Sequence, residues 1–298
     1  YSMFGFQRTG DAIWAAADQL ARGFLIGATA GKTTLTGEGT QHMDGHSPLL
    51  ALSNPAVLHY DPAYAYEIAH IMEYGLERMY GENPDNVIFY LTVYNEPMPQ
   101  PAQPENVDIE GIRKGMYLLK EGSTEGVGEN PQRAQLMASG VGVPWVLEAQ
   151  ELLRRDFGIV ADVWSVTSWN ELGRDAIAAE KANYTDGGDR VPYVTQRLTG
   201  RPGVVVAVSD YATEVQNQIA NYVPNSFRAL GADGFGFSDT RAASRRYLKI
   251  DGPSIAVAVL RELAETGDVP RSLADEAYVR YQIDNVTAGS SGSVGGDS

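Results

Sequence analysis

The chain has 298 residues, of which 43% are hydrophobic and 20% charged, enough for a buried core and, by length, for two domains. A formal net charge of -15 disfavours binding to nucleic acid and to anionic membrane surfaces. The absence of cysteine excludes disulfides, thiolate metal sites and a cysteine nucleophile, and it fits a reducing cytoplasm. The sequence contains no apolar run of about 18 residues, so no membrane span is predicted.

The first hundred residues alternate between helical and strand patterns. Short apolar runs predict strands at residues 23–30, 56–60 and 86–96. Apolar spacing predicts helices at residues 11–22, from Ser47 (as cap) and Pro48, and from Asp61 and Pro62 to Gly81. This alternation predicts an α/β fold with a mainly parallel sheet covered by helices on both sides.

A connector follows, and the alternation then resumes. Four prolines between residues 97 and 108 indicate a semi-rigid linker and the best domain boundary. Strands are predicted at residues 115–121, 134–140, 160–168, 203–209 and 227–233, and helices at residues 144–157, 214–222, 255–265 and 272–281. The small, polar residues 285–298 are expected to be a disordered tail.

The segment after the first strand is the main candidate site. It places Glu38, His42, Asp44 and His46 within nine residues. His42 and His46 are two of the chain's four histidines. Ligands of open α/β sheets bind at the carboxyl ends of strands, and histidine exchanges protons near neutral pH. A polar surface loop is one alternative. A structural metal held by His42, Asp44 and His46 is another, although the spacing is not an established zinc pattern.

The residues before the first predicted helix are the second candidate. Tyr1, Phe4 and Phe6 precede the helix, and Arg8 is placed at its start. These aromatics suit core packing, and they equally suit a flat apolar wall for a heteroaromatic ring.

The glycine-rich residues 231–241 are the third candidate. Their backbone could hold a phosphate, but Asp233 and Asp239 oppose an anion. A tight strand-to-helix turn with Ser238 or Asp239 as N-cap is the better interpretation. No Gly-x-Ser-x-Gly motif offers a hydrolase nucleophile.

Several long segments carry a resemblance. The stretches YSMFGFQRTGDAIWAAADQLARGFLIGATAGKTTLTGEGTQHMDGHSPLLA, YDPAYAYEIAHIMEYGLERMYGE, EGIRKGMYLL, DVWSVTSWNEL and LGADGFGFSDTR closely resemble the homodimeric-type pyruvate dehydrogenase. That family is the thiamine-diphosphate-dependent first component of the bacterial pyruvate dehydrogenase complex. The resemblance covers nearly the whole chain apart from the tail. The overall character of the sequence suggests an actinobacterial member of the family.

The resemblance implies a transketolase-like organisation. Residues 1–96 would be the latter part of the pyrimidine-binding middle domain, residues 97–110 the linker, and residues 111–284 the transketolase-type C-terminal domain. The family's Gly-Asp-Gly motif for diphosphate and Mg²⁺ is absent from this sequence. The glutamate that activates the cofactor would precede Tyr1. The chain is therefore expected to be about the C-terminal third of such an enzyme and to be inactive alone.

The resemblance also implies roles for the candidate residues. Tyr1 and Phe4 would lie against the aminopyrimidine ring of thiamine diphosphate, and His42 would face the substrate. Glu38 and Arg8 would lie near that centre, and His46 would be structural. The implied reaction is decarboxylation of pyruvate with reductive acetylation of a lipoyl group, by a cytoplasmic homodimer that works with the dihydrolipoyl acetyltransferase.

Other functions stay open from the sequence. A non-catalytic dimerisation and docking module would use aromatics such as Trp14, Tyr64, Tyr66 and Tyr74, although core packing suits them better. A related thiamine enzyme would act on another 2-oxo acid or a ketose. A metallohydrolase built on His42, Asp44 and His46 would bind zinc or manganese.

Overall fold

The computed structural model describes residues 1–35 and 38–288. The first part holds a three-stranded parallel sheet, formed by β1 (Gly23–Gly27), β2 (Val57–Tyr60) and β3 (Ile88–Thr92) in the order β1-β3-β2. Gly23 of β1 and Val57 of β2 both align with Ile88 of β3. Three helices accompany the sheet, α1 (Ser2–Asp18), α2 (Ser47–Ser53) and α3 (Ala65–Tyr80).

The first helix differs from its prediction. α1 begins at Ser2, so Phe4, Phe6 and Arg8 lie within the helix and do not precede it. Phe6 and Ile13, seven residues apart, are buried on the same face, and this spacing favours a helix that already includes Phe6. The helix ends at Asp18, four residues before the predicted end, and Leu20 then takes a left-handed conformation.

The starts of α2 and α3 also differ. Ser47 is the first residue of α2 and does not cap it, since His46 occupies the cap position. α3 begins at Ala65 and not at Asp61, because the Glu67 side chain accepts the backbone N–H groups of residues 63 and 64. Gly81 ends α3 as predicted.

The second part holds a five-stranded sheet. Its strands are β4 (Tyr117–Lys120), β5 (Arg133–Ala138), β6 (Val160–Ser165), β7 (Val204–Val208) and β8 (Phe227–Leu230), in the order β4-β6-β5-β7-β8. Only the edge strand β4 runs antiparallel. The described chain is therefore an α/β protein with mainly parallel sheets flanked by helices, and the predicted fold class is confirmed.

Helices cover both faces of this sheet. They are α4 (Ile109–Lys114), α5 (Gly142–Phe157), α6 (Trp169–Asp186), α7 (Tyr193–Leu198), α8 (Glu214–Asn217), α9 (Arg241–Leu248), α10 (Gly252–Glu265) and α11 (Arg271–Arg280). α5 and α10 pack on one face, in the cluster that contains Leu136 and Val206. The other face carries a cluster with Trp164 and Trp169.

Three predictions for this half need correction. The 18-residue helix α6 and the short helices α4 and α7 were not predicted. The helix expected at residues 214–222 is the short α8 followed by a separate 3₁₀ turn. β8 ends at Leu230, and a ten-residue loop then leads to α9, whose N-cap is Thr240 and neither Ser238 nor Asp239.

Buried carboxylates join the two sheets. Asp61 accepts hydrogen bonds from Thr92 and Tyr94 on its own side and from Ser139 after β5. Burial raises the pKa of Asp61 to about 6, although these hydrogen bonds oppose the rise. Glu67 accepts from Tyr117 of β4 and from Ser165 of β6, and burial raises its pKa as well. These bonds fix the first sheet against the second.

The connector and the tail complete the chain. Residues 93–108 form no helix or strand. Of the predicted tail, residues 289–298 lie outside the described part, and residues 286–288 form one 3₁₀ turn. Within residues 1–35 and 38–288, no helix combines the length and apolarity that crossing a membrane requires.

Candidate functional site

The segment that follows β1 packs against the first turns of α1. The phenol of Tyr1 donates a hydrogen bond of 3.0 Å to Oε1 of Glu38. The imidazole of His42 contacts two aromatic rings, with ring centroids 4.7 Å from Tyr1 and 4.6 Å from Phe4. Its Nδ1 lies 3.6 Å from Oε2 of Glu38. Tyr1, Phe4, Glu38 and His42 form one group, which we call the imidazole cluster.

Arg8 lies beside this cluster. Its guanidinium carbon is 4.2 Å from the centroid of the Phe4 ring, a cation–π contact. The structure therefore brings together the five residues that the resemblance places near the cofactor and the substrate. Arg8 and Glu38 are exposed, and Tyr1 is 52% exposed, so the cluster faces the surface of this chain.

Two polar groups of the cluster have distinctive surroundings. The hydrogen bond to Glu38 raises the pKa of the Tyr1 phenol. Nδ1 of His42 is shielded from solvent and has no hydrogen-bond partner among the described residues. A buried ring nitrogen without a hydrogen-bond partner is uncommon. Its partner is typically a bound ligand, or a protein group that a small movement brings within hydrogen-bond distance.

Asp44 and His46 lie apart from the cluster. Oδ1 of the buried Asp44 accepts the backbone N–H groups of His46 and Ser47, at 3.1 and 2.8 Å, and so stabilises the start of α2. Nε2 of His46 lies 3.4 Å from Oε1 of Gln7. No three potential ligands converge on a metal position within residues 1–35 and 38–288. The metal site considered for His42, Asp44 and His46 is therefore wrong for this arrangement.

A cavity of about 680 Å³ adjoins the cluster. Phe4 and Arg8 of α1 line one wall, together with Lys32. Residues 234–236, in the loop after β8, line the opposite wall. The other three members of the imidazole cluster do not line this cavity. The cavity thus lies between the first part of the chain and the C-terminal sheet.

Lys32 connects the two walls. Its ammonium group donates to the backbone carbonyls of Ala232 and Gly234, the latter at 2.6 Å. The side chain is 7% exposed, and this burial lowers the Lys32 pKa, against an opposing effect of Asp210 and Asp233. A charged donor with two carbonyl partners, of which that of Ala232 is buried, holds the loop after β8 in place.

Asp210 fixes the start of the segment that carries the cluster. This fully buried carboxylate follows β7 and accepts the backbone N–H groups of Thr33 and Thr34 and the hydroxyl of Thr33. Burial raises the pKa of Asp210 to about 6, and Arg245 and these hydrogen bonds oppose the rise. The C-terminal sheet thereby positions the segment that leads to Glu38 and His42.

The sequence predictions missed Lys32 and Asp210. Residues 231–241 were the third candidate but were interpreted as a tight turn, although residues 234–236 line the cavity. Lys32 carried one signal, because it is the only lysine before residue 114 and follows Ala30 and Gly31 in an apolar context. Its partners lie 200 and 202 residues further along the chain, where no local pattern could have pointed to them.

Two family profiles match the chain. The profile of the pyruvate dehydrogenase E1 component middle domain matches residues 1–101, and that of the transketolase-like C-terminal domain matches residues 115–251. The pyruvate dehydrogenase E1 component of Mycolicibacterium smegmatis is 56% identical over 290 residues, which are 97% of this chain. The chain belongs to the pyruvate dehydrogenase E1 component family.

Further family members give the same result. The E1 component of Mycobacterium tuberculosis is 56% identical over 97% of this chain, and that of Escherichia coli K12 is 47% identical over 95%. The chain covers 31% of the M. smegmatis and M. tuberculosis proteins and 32% of the E. coli protein. It thus spans about a third of the length of these curated relatives.

Solved structures agree on the fold. Transketolase from Campylobacter jejuni superimposes with a TM-score of 0.63 at 16% identity, over 88% of this chain and 34% of that chain. A split-gene transketolase, described as an inactive beta4 tetramer, has a TM-score of 0.60 at 16% identity, over 89% of this chain and 75% of that one. Identity this low supports the transketolase-like fold alone.

Proposed function

We propose that this chain is part of a pyruvate dehydrogenase that decarboxylates pyruvate with thiamine diphosphate and reductively acetylates a lipoyl group of an acetyltransferase. Residues 1–96 would form the latter part of the pyrimidine-binding domain, residues 97–110 the linker and residues 111–284 the C-terminal domain. The proposal includes a homodimer in the cytoplasm, in line with the cysteine-free composition.

One observation carries the proposal. Tyr1, Phe4, Glu38 and His42 come from two separate segments and still form a single cluster, with Arg8 beside it. Such a convergence of aromatic, imidazole and carboxylate groups at the end of a parallel strand is typical of a site in α/β enzymes.

The residues present fit one end of thiamine diphosphate. The rings of Tyr1 and Phe4 are at 70° to each other and accessible, so either could pack against a flat heterocycle. Nδ1 of His42 has no hydrogen-bond partner among the described residues, and Oε2 of Glu38 lies 3.6 Å from it. When bound, the cofactor supplies an electron sink for cleavage of the bond next to a carbonyl group. Mg²⁺ and the diphosphate would be held by a part of the polypeptide that this sequence lacks.

The chain's own contribution is to place a proton donor and acceptor. A movement of a few tenths of an ångström would bring Nδ1 of His42 into hydrogen-bond distance of Oε2 of Glu38. Nδ1 would then carry the proton, and Nε2 would be the atom that accepts one. Tyr1 holds the other carboxylate oxygen and so keeps Glu38 oriented toward the imidazole.

Activity assays with thiamine diphosphate and Mg²⁺ test the proposal. We expect the 298-residue chain alone to release no carbon dioxide from pyruvate. The full-length polypeptide that carries it should be active, and His42→Gln there should reduce kcat by about 10²- to 10⁴-fold, the usual contribution of a positioned acid–base group. His70→Gln is the matched control, because His70 lies on α3, away from the cluster. Robust turnover by the chain alone would contradict the proposal.

Substrate choice needs its own comparison. The family relationship favours pyruvate over other 2-oxo acids. We expect kcat/KM of the full-length enzyme to be highest for pyruvate, lower for 2-oxobutyrate and lowest for 2-oxoglutarate. The opposite order would assign the chain to a related thiamine enzyme.

Exposed apolar residues favour a second candidate, a dimerisation module. Trp14 of α1 is 49% exposed, and Ile26 on the edge strand β1 is 53% exposed. Tyr64 and Tyr66 are buried, so of the predicted anchors Trp14 is the one that offers a large exposed surface. Light scattering tests this: a stable dimer of the 298-residue chain supports the module, whereas a monomer contradicts it.

A further inference from the structure

A second cavity, of about 570 Å³, lies in the C-terminal part of the chain. It is bounded by the edge strand β8 and by helices α10 and α11. Its size is within the range of cavities that hold small molecules. None of the five predicted site residues lines it, so it is distinct from the cavity beside the imidazole cluster.

The lining is more positive than the rest of the protein. Four cationic side chains and two carboxylates line the cavity: Arg228, Lys249, Arg261 and Arg271, with Glu265 and Asp275. The whole chain, in contrast, carries a net charge of -15. A concentration of positive charge in a concave surface attracts anions of matching size.

Three of the four cations have no carboxylate partner among the described residues, and one of these, Lys249, donates to the backbone carbonyl of Ile283. Arg228 is paired with Glu262 and Glu265. Arg261 lies over the Tyr278 ring, with 4.8 Å between the guanidinium carbon and the ring centroid. Within the described residues, neither Arg261 nor Arg271 has a carboxylate within 4.0 Å. Both guanidinium groups are therefore available to a ligand.

A buried hydroxyl points to a ligand independently of charge. Ser254, in the first turn of α10, lines the cavity and is 5% exposed. Its Oγ has no hydrogen-bond partner among the described residues. Asp251 caps the N-terminus of α10 and is paired with Arg246. The group without a partner is therefore the Ser254 hydroxyl and not the N-terminus of the helix. A buried hydroxyl without a partner is costly unless something binds it.

Apolar surface completes the lining. Val257 and Ala258 of α10 and Ala274 of α11 contribute small apolar side chains. The Tyr278 ring, which already contacts Arg261, adds a flat surface. An occupant would therefore combine an anionic group with an apolar portion.

We propose that this cavity binds a small organic anion, whose phosphate or carboxylate group contacts Arg261, Arg271 and the Ser254 hydroxyl. The inference goes beyond the proposed function, because it uses none of the residues assigned to the reaction. The same segment serves both cavities: Leu230 and Lys249 line the second, and residues 234–236 between them line the first.

Calorimetric titration of the 298-residue chain tests the proposal without any assay of activity. Phenyl phosphate and phenylacetate are the probes, since they place the same ring next to a phosphate or a carboxylate. Benzyl alcohol is the neutral control. We expect at least one anionic probe to bind with a dissociation constant of about 1 mM or lower and benzyl alcohol not to bind. The tighter anionic probe identifies which group the natural ligand carries.

Three variants locate the binding. Arg271→Gln, at a residue with no ion pair in the described structure, should weaken binding about tenfold, and Ser254→Ala about fivefold. Lys181→Gln, on the exposed surface of α6, should leave the affinity unchanged. Unchanged melting temperatures would show that each variant is folded. The proposal would be overturned if neither anionic probe binds at about 10 mM, ten times the expected dissociation constant. Equal binding by the wild type and all three variants would also overturn it. Either result would leave the proposed function unaffected.

Discussion

The phenol of Tyr1 and a carboxylate oxygen of Glu38 lie 3.0 Å apart, although the two residues are separated by 37 positions in the chain. This bond joins the start of α1 to the segment after β1. It leaves the second oxygen of Glu38 facing His42. The orientation of the Glu38 carboxylate next to His42 thus depends on Tyr1.

Tyr1→Phe tests this dependence in the full-length enzyme. The substitution keeps the aromatic ring and removes the hydrogen bond that the phenol donates to the Glu38 carboxylate. We expect kcat to fall at least about tenfold, with a smaller change in the affinity for thiamine diphosphate. Tyr184→Phe, at an exposed tyrosine of α6, is the matched control. Equal kcat values for both variants would exclude a role for the hydroxyl.

Lys32→Met tests the connection between the two walls of the first cavity. Loss of the ammonium group leaves the carbonyls of Ala232 and Gly234 without their donor. We expect faster amide hydrogen exchange in residues 231–236, read by mass spectrometry, and partial restoration of protection in Lys32→Arg. Lys181→Met is the control for the loss of one positive charge. Unchanged exchange in Lys32→Met would mean that the loop is held by other contacts.

Asp61→Asn tests the cost of burying a carboxylate between the sheets. Burial raises the pKa of Asp61 to about 6 in the folded state, from an ordinary value of 3.8. The folded state therefore binds the proton more tightly, so stability due to Asp61 falls as the pH rises from about 4 to about 6. The difference in unfolding free energy between wild type and variant should change by about 3 kcal/mol over this range.

Denaturant unfolding at a series of pH values measures that difference. The negative charge of Asp210 contributes a smaller part of the rise in the pKa of Asp61. Asp189→Asn, at an exposed position, should show no such trend. A constant difference between pH 4 and pH 6 would argue against a protonated Asp61.

Two glycines give opposite expectations for substitution by alanine. At Gly203, before β7, φ is +96°, and an added Cβ would lie 1.8 Å from the carbonyl oxygen of Arg133. Gly203→Ala should therefore destabilise the fold by about 3 kcal/mol or more. Gly10, inside α1, has open space around its Cα, so Gly10→Ala should stabilise by about 0.5–1 kcal/mol. Thermal unfolding of both variants checks the sign; a stable Gly203→Ala would contradict the register of β5 and β7.

Local patterns were informative where a strand was fully buried. β2, β5, β6 and β7 are short apolar runs next to glycine or polar residues, and their predicted positions agree with the structure to within three residues. Helices with small buried residues were harder to predict. α6 buries alanines at positions 176 and 179, which carry a weak apolar signal, and α1 contains Gly5 and Gly10, which resemble turn residues.

For the candidate site too, the local sequence indicated some residues and not others. Glu38 and His42 were candidates because they lie in a dense polar segment. Tyr1 and Phe4 were candidates as aromatics before a predicted helix, and the family resemblance gave them a role against the aminopyrimidine ring. Residues 231–241 were a candidate, but their position next to Lys32 was not predicted, because the two segments meet only after the second sheet has folded. Contacts over about 200 residues depend on tertiary packing, and local periodicity carries no record of them.

The buried carboxylates between the sheets have a consequence for the proline-rich connector. Asp61 and Glu67 accept hydroxyl hydrogen bonds from Ser139 and Ser165 of the other half, independently of residues 97–108. A protease nick in the connector would therefore leave the two pieces associated as one particle under native conditions. Genes that encoded the two pieces separately could still yield the same assembly.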